Sequence, residues 1–289
     1  MIESTVLGKK VDYPQHYSPE VLVAVPRQTN REKYGINNTK LPFLGVDTWH
    51  AYELSFLTEN GLPVVGVLKM TYGANTPNIV ESKSLKLYLN SFNMERYGKD
   101  AAEGYSILTD IITEDISKCI DGELEVCIFD PDTQPVPSAM TDYQLLEAMP
   151  FANNLKITHY TETPELLKTD GKQGYMAVMT HLLRSNCRVT HQPDWGTAYI
   201  YMNGKQLPTE ESLLEYLVSI RGENHFHEEI CEMIFMRLWQ QFNPDELMVT
   251  CIYTRRGGID ICPSRSNRIE LLPMGLTSAP LLTTKLLRQ

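Results

Sequence analysis

The chain has 289 residues, 42% hydrophobic and 21% charged, which suits a globular protein with a sizeable core and, at about 150 residues per domain, two domains. Its formal net charge of -10 argues against a broad nucleic-acid or anionic-membrane surface, since both need a basic face. No apolar run approaches the roughly 18 residues of a membrane span, and Met1-Ile2-Glu3-Ser4-Thr5 does not begin a secretory signal.

Residues 1–46 carry Pro14, Pro19, Pro26 and Pro42 and read as an extended lead-in that wraps a domain. Residues 48–58 set Trp49, Ala51 and Glu53 against His50, Tyr52 and Leu54, the alternation of a strand. Gly61-Leu62-Pro63 turns the chain into a second strand over 64–72, giving a hairpin. After Pro77 a helix is expected from Ser82 to Arg96, with Leu85, Leu89 and Phe92 at helical spacing. A second helix is expected over 101–117, with Ile107 and Ile111 facing inward and Leu108 and Ile112 as further candidates for that face. Asp121-Gly122 turns the chain into a strand through Leu124, Val126 and Ile128.

Residues 130–153, with Pro131, Pro135, Pro137 and Pro150, read as a connector, and the modules are placed at 1–150 and 151–289. Segments 155–161 and 175–190 lean toward strand, with Met176 to Leu183 open to partial helicity. Residues 198–202 form a strand ended by Asn203-Gly204, a hairpin pair. Leu213, Leu214, Leu217 and Ile220 line a helix that Thr209 can cap. A further helix spans roughly 225–241, with Phe226, Ile230, Ile234 and Leu238 at steps of four. A hairpin of 247–254 and 258–262 closes the chain, so the second half repeats the first half's order.

Four stretches could carry chemistry. In the first, Cys187 supplies a soft nucleophile, and Asp194, held by Pro193, can carry a proton to or from what the sulfur attacks. In the second, Phe226-His227-Glu228-Glu229 opens a helix. On that helix His225 and His227 would point roughly 200° apart, too far to share a metal. Glu228 suits a ligand edge of adjacent N–H donors. In the third, Val80-Glu81-Ser82-Lys83-Ser84 starts a helix; Glu81 and Ser82 suit its cap, and Lys83 opposes the dipole unless an anion binds there. In the fourth, Arg255-Arg256-Gly257-Gly258 puts two forked donors on a mobile turn, as a solvated hairpin or a phosphate site. There is no Gly-x-Gly-x-x-Gly, no Walker loop and no His-Glu-x-x-His. Six cysteines (119, 127, 187, 231, 251 and 262) form no Cys-x-x-Cys pair and fit free thiols in a reducing cytoplasm.

Taken in order, Glu81-Ser82-Lys83-Ser84 through Phe92, Ser185-Asn186-Cys187 through Trp195, Phe226-His227-Glu228 and Tyr253 through Gly258 resemble the NADPH-dependent 7-cyano-7-deazaguanine reductases of queuosine biosynthesis, in their long, two-module form. The resemblance runs from Gly8 to Arg288. It implies an α+β fold of two tandem tunnelling-fold modules, antiparallel sheets with helices on one face. It implies reduction of a nitrile to an amine by two molecules of NADPH, through a thioimide on Cys187, with Asp194 donating protons and His227 assisting. Val80, Glu81, Ser82, His227 and Glu228 would hold the base. Ser82, Lys83, Arg256 and Gly257 would hold NADPH. No metal is implied, nor a nucleic-acid or membrane partner, and the expected state is a cytoplasmic homodimer. The chain departs from the family at Arg188, where an apolar residue or proline is usual. It also has Glu223 where His is common and His225 where Glu is usual. Two other classes stay open: a purine-binding or cyclohydrolase-like relative, with zinc on Cys187, His191 and His227, and a scaffold protein.

Overall fold

The computed structural model describes residues 13–289, and expectations placed on residues 1–12, including the start of the resemblance at Gly8, fall outside them. In chain order the elements are β1 (Ala24–Pro26), α1 (Gln28–Arg31), β2 (Leu44–Leu57), β3 (Pro63–Gly73), β4 (Asn78–Val80), α2 (Ser82–Ser91), α3 (Ala101–Ile120) and β5 (Leu124–Phe129). Then come β6 (Gln144–Leu145), β7 (Gly174–Cys187), β8 (Pro193–Gly204), α4 (Glu210–Ser219), β9 (Asn224–His225), α5 (His227–Phe242), β10 (Glu246–Tyr253), β11 (Ile259–Ser266) and α6 (Met274–Thr277). The fold is α+β. One sheet runs β5-β3-β2-β11-β10-β8-β7-β6, with β9 also on β7, while β1 pairs with β4 separately. The long strands pair antiparallel, and the two-residue β6 and β9 run parallel to β7.

The repeat of two modules is present, and their sheets have fused. β2 of the first half pairs with β11 of the second from Ala51↔Ile259 to Leu44↔Ser266. Each half carries a register shift at the same place, between Ala51 and Leu54 in β2 and between Thr180 and Leu183 in β7. The shift in β2 keeps Trp49, Ala51, Leu54 and Phe56 all in the core, which strict alternation would not allow. Helices α2 and α3 cover the first half through Leu85, Tyr88, Leu108 and Ile112, and α4 and α5 cover the second through Leu213, Leu217, Ile230 and Ile234.

Five charges are buried where the halves meet. Arg265 donates to Asp47 (2.8 Å) and Glu232 (3.0 Å), Arg27 donates to Asp47 (2.5 Å) and Arg31 to Glu232 (2.6 Å). The other sheet face is covered by residues 274–289. Lys69 Nζ donates to the carbonyls of Gly275, Ser278 and Leu281, and the Thr48 and Thr71 hydroxyls donate to Leu276 O. Burial pushes Lys69 down to about 8.

Several expected elements differ. The helix after Ser82 stops at Ser91 rather than Arg96. In α3 the fully buried stripe is Leu108, Ile112, Ile116 and Ile120; of the expected residues Leu108 and Ile112 lie on it, Ile111 packs half-buried at its side, and Ile107 is half-buried. Segment 155–161 forms no strand, and Met176 to Leu183 is strand throughout. Asn203-Gly204 ends β8 but makes no hairpin, because the chain enters α4. His225 lies in β9 and not on a helix, so the 200° argument against shared ligation does not apply to it. The connector contains β6 and short 3₁₀ turns.

Candidate active site

Two helix starts, one from each half, and the ends of two strands surround a cavity of about 440 Å³. Val80, Ser82, Lys83, Lys86, Cys187, Asp194, His227, Glu228 and Arg256 are among the residues that line it. Cys187 is the last residue of β7 and is buried. Its N–H donates to Gln192 O (2.8 Å) and its C=O accepts from His191 N (3.0 Å), closing a turn in which His191 takes a positive φ of 56°. Ser185 pairs with Asp194 across β7 and β8. Cys187 lies two residues beyond Ser185, so it and Asp194 project from the same face as diagonal neighbours.

Asp194 is 3% exposed. Its Oδ1 is paired by the Arg256 guanidinium and lies 3.7 Å from His227 Nε2. Burial pushes the carboxyl up, but the nearby His227 and the hydrogen-bonded charge of Arg256 outweigh it. The net shift is downward, so Asp194 is a carboxylate at neutral pH. The His227 ring packs edge-on against Tyr253 with centroids 4.0 Å apart. Arg256 also donates to Gln192 Oε1. It sits on a two-residue turn closed by its N–H on Ile259 O (2.9 Å), with Gly257 and Gly258 both at positive φ. The φ of 73° at Gly258 is what favours glycine there; a Cβ would in addition oblige the exposed Glu53 side chain to shift.

The two carboxyls expected on a base differ in placement. Glu228, in the first turn of α5, lines the cavity, is buried, and among the described residues leaves Oε1 without a hydrogen-bond partner. Burial, then the nearby charge of Asp47, pushes it up to about 8. Glu81 caps α2 by accepting from Ser84 N (2.6 Å) through Oε2, and its Oε1 is likewise buried and unpartnered. It is fully buried behind the wall formed by Val80 and Ser82, and burial raises its carboxyl despite the Ser84 and Lys83 N–H groups.

The residues expected on NADPH split. Ser82, Lys83 and Arg256 line the main cavity, whereas Gly257 lines an adjoining cleft of about 250 Å³ with Glu53, Asn90 and Gly258. Lys86, absent from the sequence-derived set, lines both. Burial, then the charge of Arg256, lowers its ammonium. The available signal was position: Lys86 lies one helical turn beyond Lys83 and on the same side.

The three departures pair with one another's surroundings. His225 Nε2 lies 3.5 Å from Glu223, and its Nδ1 lies 3.1 Å from Glu229. The exchanged acid and imidazole therefore still face each other. Arg188 bonds Glu229 at 2.6 Å and stacks over Phe226. The set required by a zinc reading does not converge: His191 is exposed and its Nδ1 bonds Asn224, while among the described residues the His/Cys/Asp/Glu side chains that do cluster are His50, Asp260 and Cys262. All six cysteines are free. Among the described residues no helix is long and apolar enough to cross a membrane.

A family model described as nitrile reductase, 7-cyano-7-deazaguanine-reductase N-term, matches residues 13–128, and one described as QueF-like protein matches residues 193–270. The NADPH-dependent 7-cyano-7-deazaguanine reductase of Colwellia psychrerythraea is 39% identical over 283 residues, covering 96% of each chain. That of Delftia acidovorans is 40% identical over 283 residues, covering 96% of this chain and 98% of its own. A solved structure of the archaeosine synthase QueF-Like in the apo form aligns with 34% of this chain and 98% of its own, at 17% identity and a TM-score of 0.31.

Proposed function

Because the chain belongs to the NADPH-dependent 7-cyano-7-deazaguanine reductases, we propose that it reduces the nitrile of 7-cyano-7-deazaguanine to the amine of 7-aminomethyl-7-deazaguanine, in queuosine biosynthesis, through a covalent thioimide on Cys187. The observation that carries this reading is one cavity holding a nucleophile and a carboxylate on a shared sheet face, with an unpartnered buried carboxyl oxygen beside them. A nitrile carbon is electrophilic but resists hydride, and a thioimide carbon accepts it.

In the first step the Cys187 S–H bond breaks, an S–C bond forms to the nitrile carbon, and one proton passes to nitrogen. Asp194, ionised at rest, is suited to take the thiol proton and hand it to nitrogen. It therefore acts first as a base, which refines the expectation of a plain donor. Arg256 and His227 hold its oxygen in place. The overall change takes up two hydrides and two protons, and the sulfur leaves before the amine is complete. Glu228 Oε1 answers the N–H donors of the base from the cavity wall, and Glu81, whose Oε1 is equally unpartnered, joins it when the Val80–Ser82 wall opens on binding.

NADPH supplies the hydrides when bound. The donor set fits its anionic groups: Lys83, Lys86 and Arg256 offer charge, Ser82 offers a hydroxyl at the start of α2, and the Gly257-Gly258 turn permits close backbone approach. The same reading includes a homodimer, for which the edge of β5, unpaired among the described residues, offers a surface, no nucleic-acid partner, in keeping with the charge of -10, and a cytoplasmic location, in keeping with six free thiols.

The test is to mix the protein with the nitrile without NADPH. Intact mass should rise by one substrate mass, and Cys187→Ala should abolish the rise. An adduct that persists in Cys187→Ala overturns the assignment.

A further inference from the structure

The sheet is one residue thick behind the cavity. Along β11, Ile259 and Ile261 line the cavity while Asp260 points to the other face; along β2, Trp49 lines it and His50 does not. Asp194 likewise faces the cavity and Trp195 its reverse. Residues 285–289 cross that reverse face. Lys285 Nζ meets His50 Nδ1 (3.0 Å) and Asp260 Oδ2 (3.3 Å), and Asp260 also accepts from Tyr52 OH (2.6 Å). Arg288 donates to His181 O (3.1 Å), and its guanidinium lies 5.7 Å over the Trp195 ring, which Arg184 and Arg221 also flank. Gln289 is buried; its Nε2 donates to Ile252 O (3.1 Å), and its main-chain O accepts from Arg255 (3.4 Å). Arg255 in turn stacks on Tyr52 at 3.6 Å.

Asp194 is held on its β7 side by the pairing with Ser185, but the side that faces Arg256 needs such support. The β8–β10 register ends at Gly196↔Tyr253, short of both residues. Beyond it the two segments share one main-chain bond, Thr254 N to Trp195 O (2.8 Å), before the Asp194–Arg256 pair itself. The residue next to Asp194 is covered by Arg288, and the residue next to Arg256 is held by Gln289.

We propose that Arg288 and Gln289 are positioning residues for the reaction, holding the Asp194–Arg256 pair in register through Trp195 and Arg255 from the reverse face of the sheet. The proposal rests on the reading of Cys187 and Asp194 as the reacting pair. Glu228 and Glu81 stand on α5 and α2 and are not touched by this strap, so substrate affinity and reactivity should separate.

The experiment uses the full chain and follows adduct formation with the nitrile in the absence of NADPH. In Arg288→Ala/Gln289→Ala the rate should fall about 10-fold or more, because a displacement of about 1 Å can cost about 100-fold. The substrate dissociation constant should stay within about twofold. Arg288→Lys, which keeps a cation over the indole, should recover part of the rate. An unchanged rate in the double variant overturns the proposal. So does a parallel fall in rate, affinity and melting temperature, which would mean general loosening. Absence of an adduct in the wild-type chain would overturn the reading beneath it and the proposal together, and is told apart because wild type and variants then behave alike.

Discussion

Asp194 is charged in the resting cavity because two cationic or donor groups outweigh its burial. Asp194→Asn keeps the shape but cannot take up the thiol proton, so turnover should fall by about 10² to 10⁴ while substrate still binds. Steady-state rates and equilibrium binding check this, and near-normal turnover would assign the proton to another group. Glu228 presents the opposite case, a carboxyl held up at about 8. An unfolded chain loses that proton near pH 4.3, so between there and pH 8 the native state binds more protons and stability falls as pH rises. Glu228→Gln should therefore melt higher than wild type at pH 8.5, with the gap closing toward pH 4, while base affinity drops. Melting curves across that range decide it, and a gap that does not depend on pH counts against the shift. Cys187, Asp194 and Glu228 were legible because their residue types announce chemistry. Arg256 was legible as a cation but not as the partner of Asp194, because only the β8–β10 pairing brings Trp195 beside Thr254. Lys86 was missed because a lysine on an amphipathic helix reads as solvated.

Among the elements, the strongly periodic ones were readable and their faces were not always so. In α3 two apolar stripes lie side by side, through Ile107 and Ile111 and through Leu108 and Ile112. The second continues to Ile116 and Ile120, whereas the first meets Asp115, which instead accepts from Tyr17 and Tyr88. Residues 155–161 have the residues of a strand but no edge to join, since β6 and β9 already occupy the outer side of β7. Capping was readable as well: Glu81 and Thr209 each accept from the N3 N–H of their helices. Asp100 does the same for α3, accepting from Glu103 N at 3.0 Å, far from the cavity. Asp100→Ala should lower stability by about 1 kcal/mol and leave turnover unchanged. Denaturant unfolding and kcat check the two halves of that statement, and a loss of activity would tie α3 to the site.

At the scale of the molecule, the order of elements revealed a repeat, but alternation along a strand does not reveal its neighbour, so the fusion of the halves along β2 and β11 was not readable. Nor was the buried set of Arg27, Arg31, Asp47, Glu232 and Arg265, whose members lie up to 238 positions apart in sequence and meet only through that fusion. Each half's core also borrows from the other: Phe43 and Ala74 pack with the second half, and Phe226, Ile259 and Ile261 with the first. The seam sets how the chain tolerates cutting. A break between Asp132 and Thr133 falls in exposed connector, yet it would leave β2 and β11 as two long open strands carrying unmatched buried charge. Fragments 1–132 and 133–289 made separately should aggregate, and made in the same cell they should co-elute as a complementing pair with activity restored. A fragment that stays monomeric and melts cooperatively alone would mean that the halves are still independent folding units. If they complement, the two halves of the repeat have become inseparable: neither can be lost, shuffled or inherited without the other.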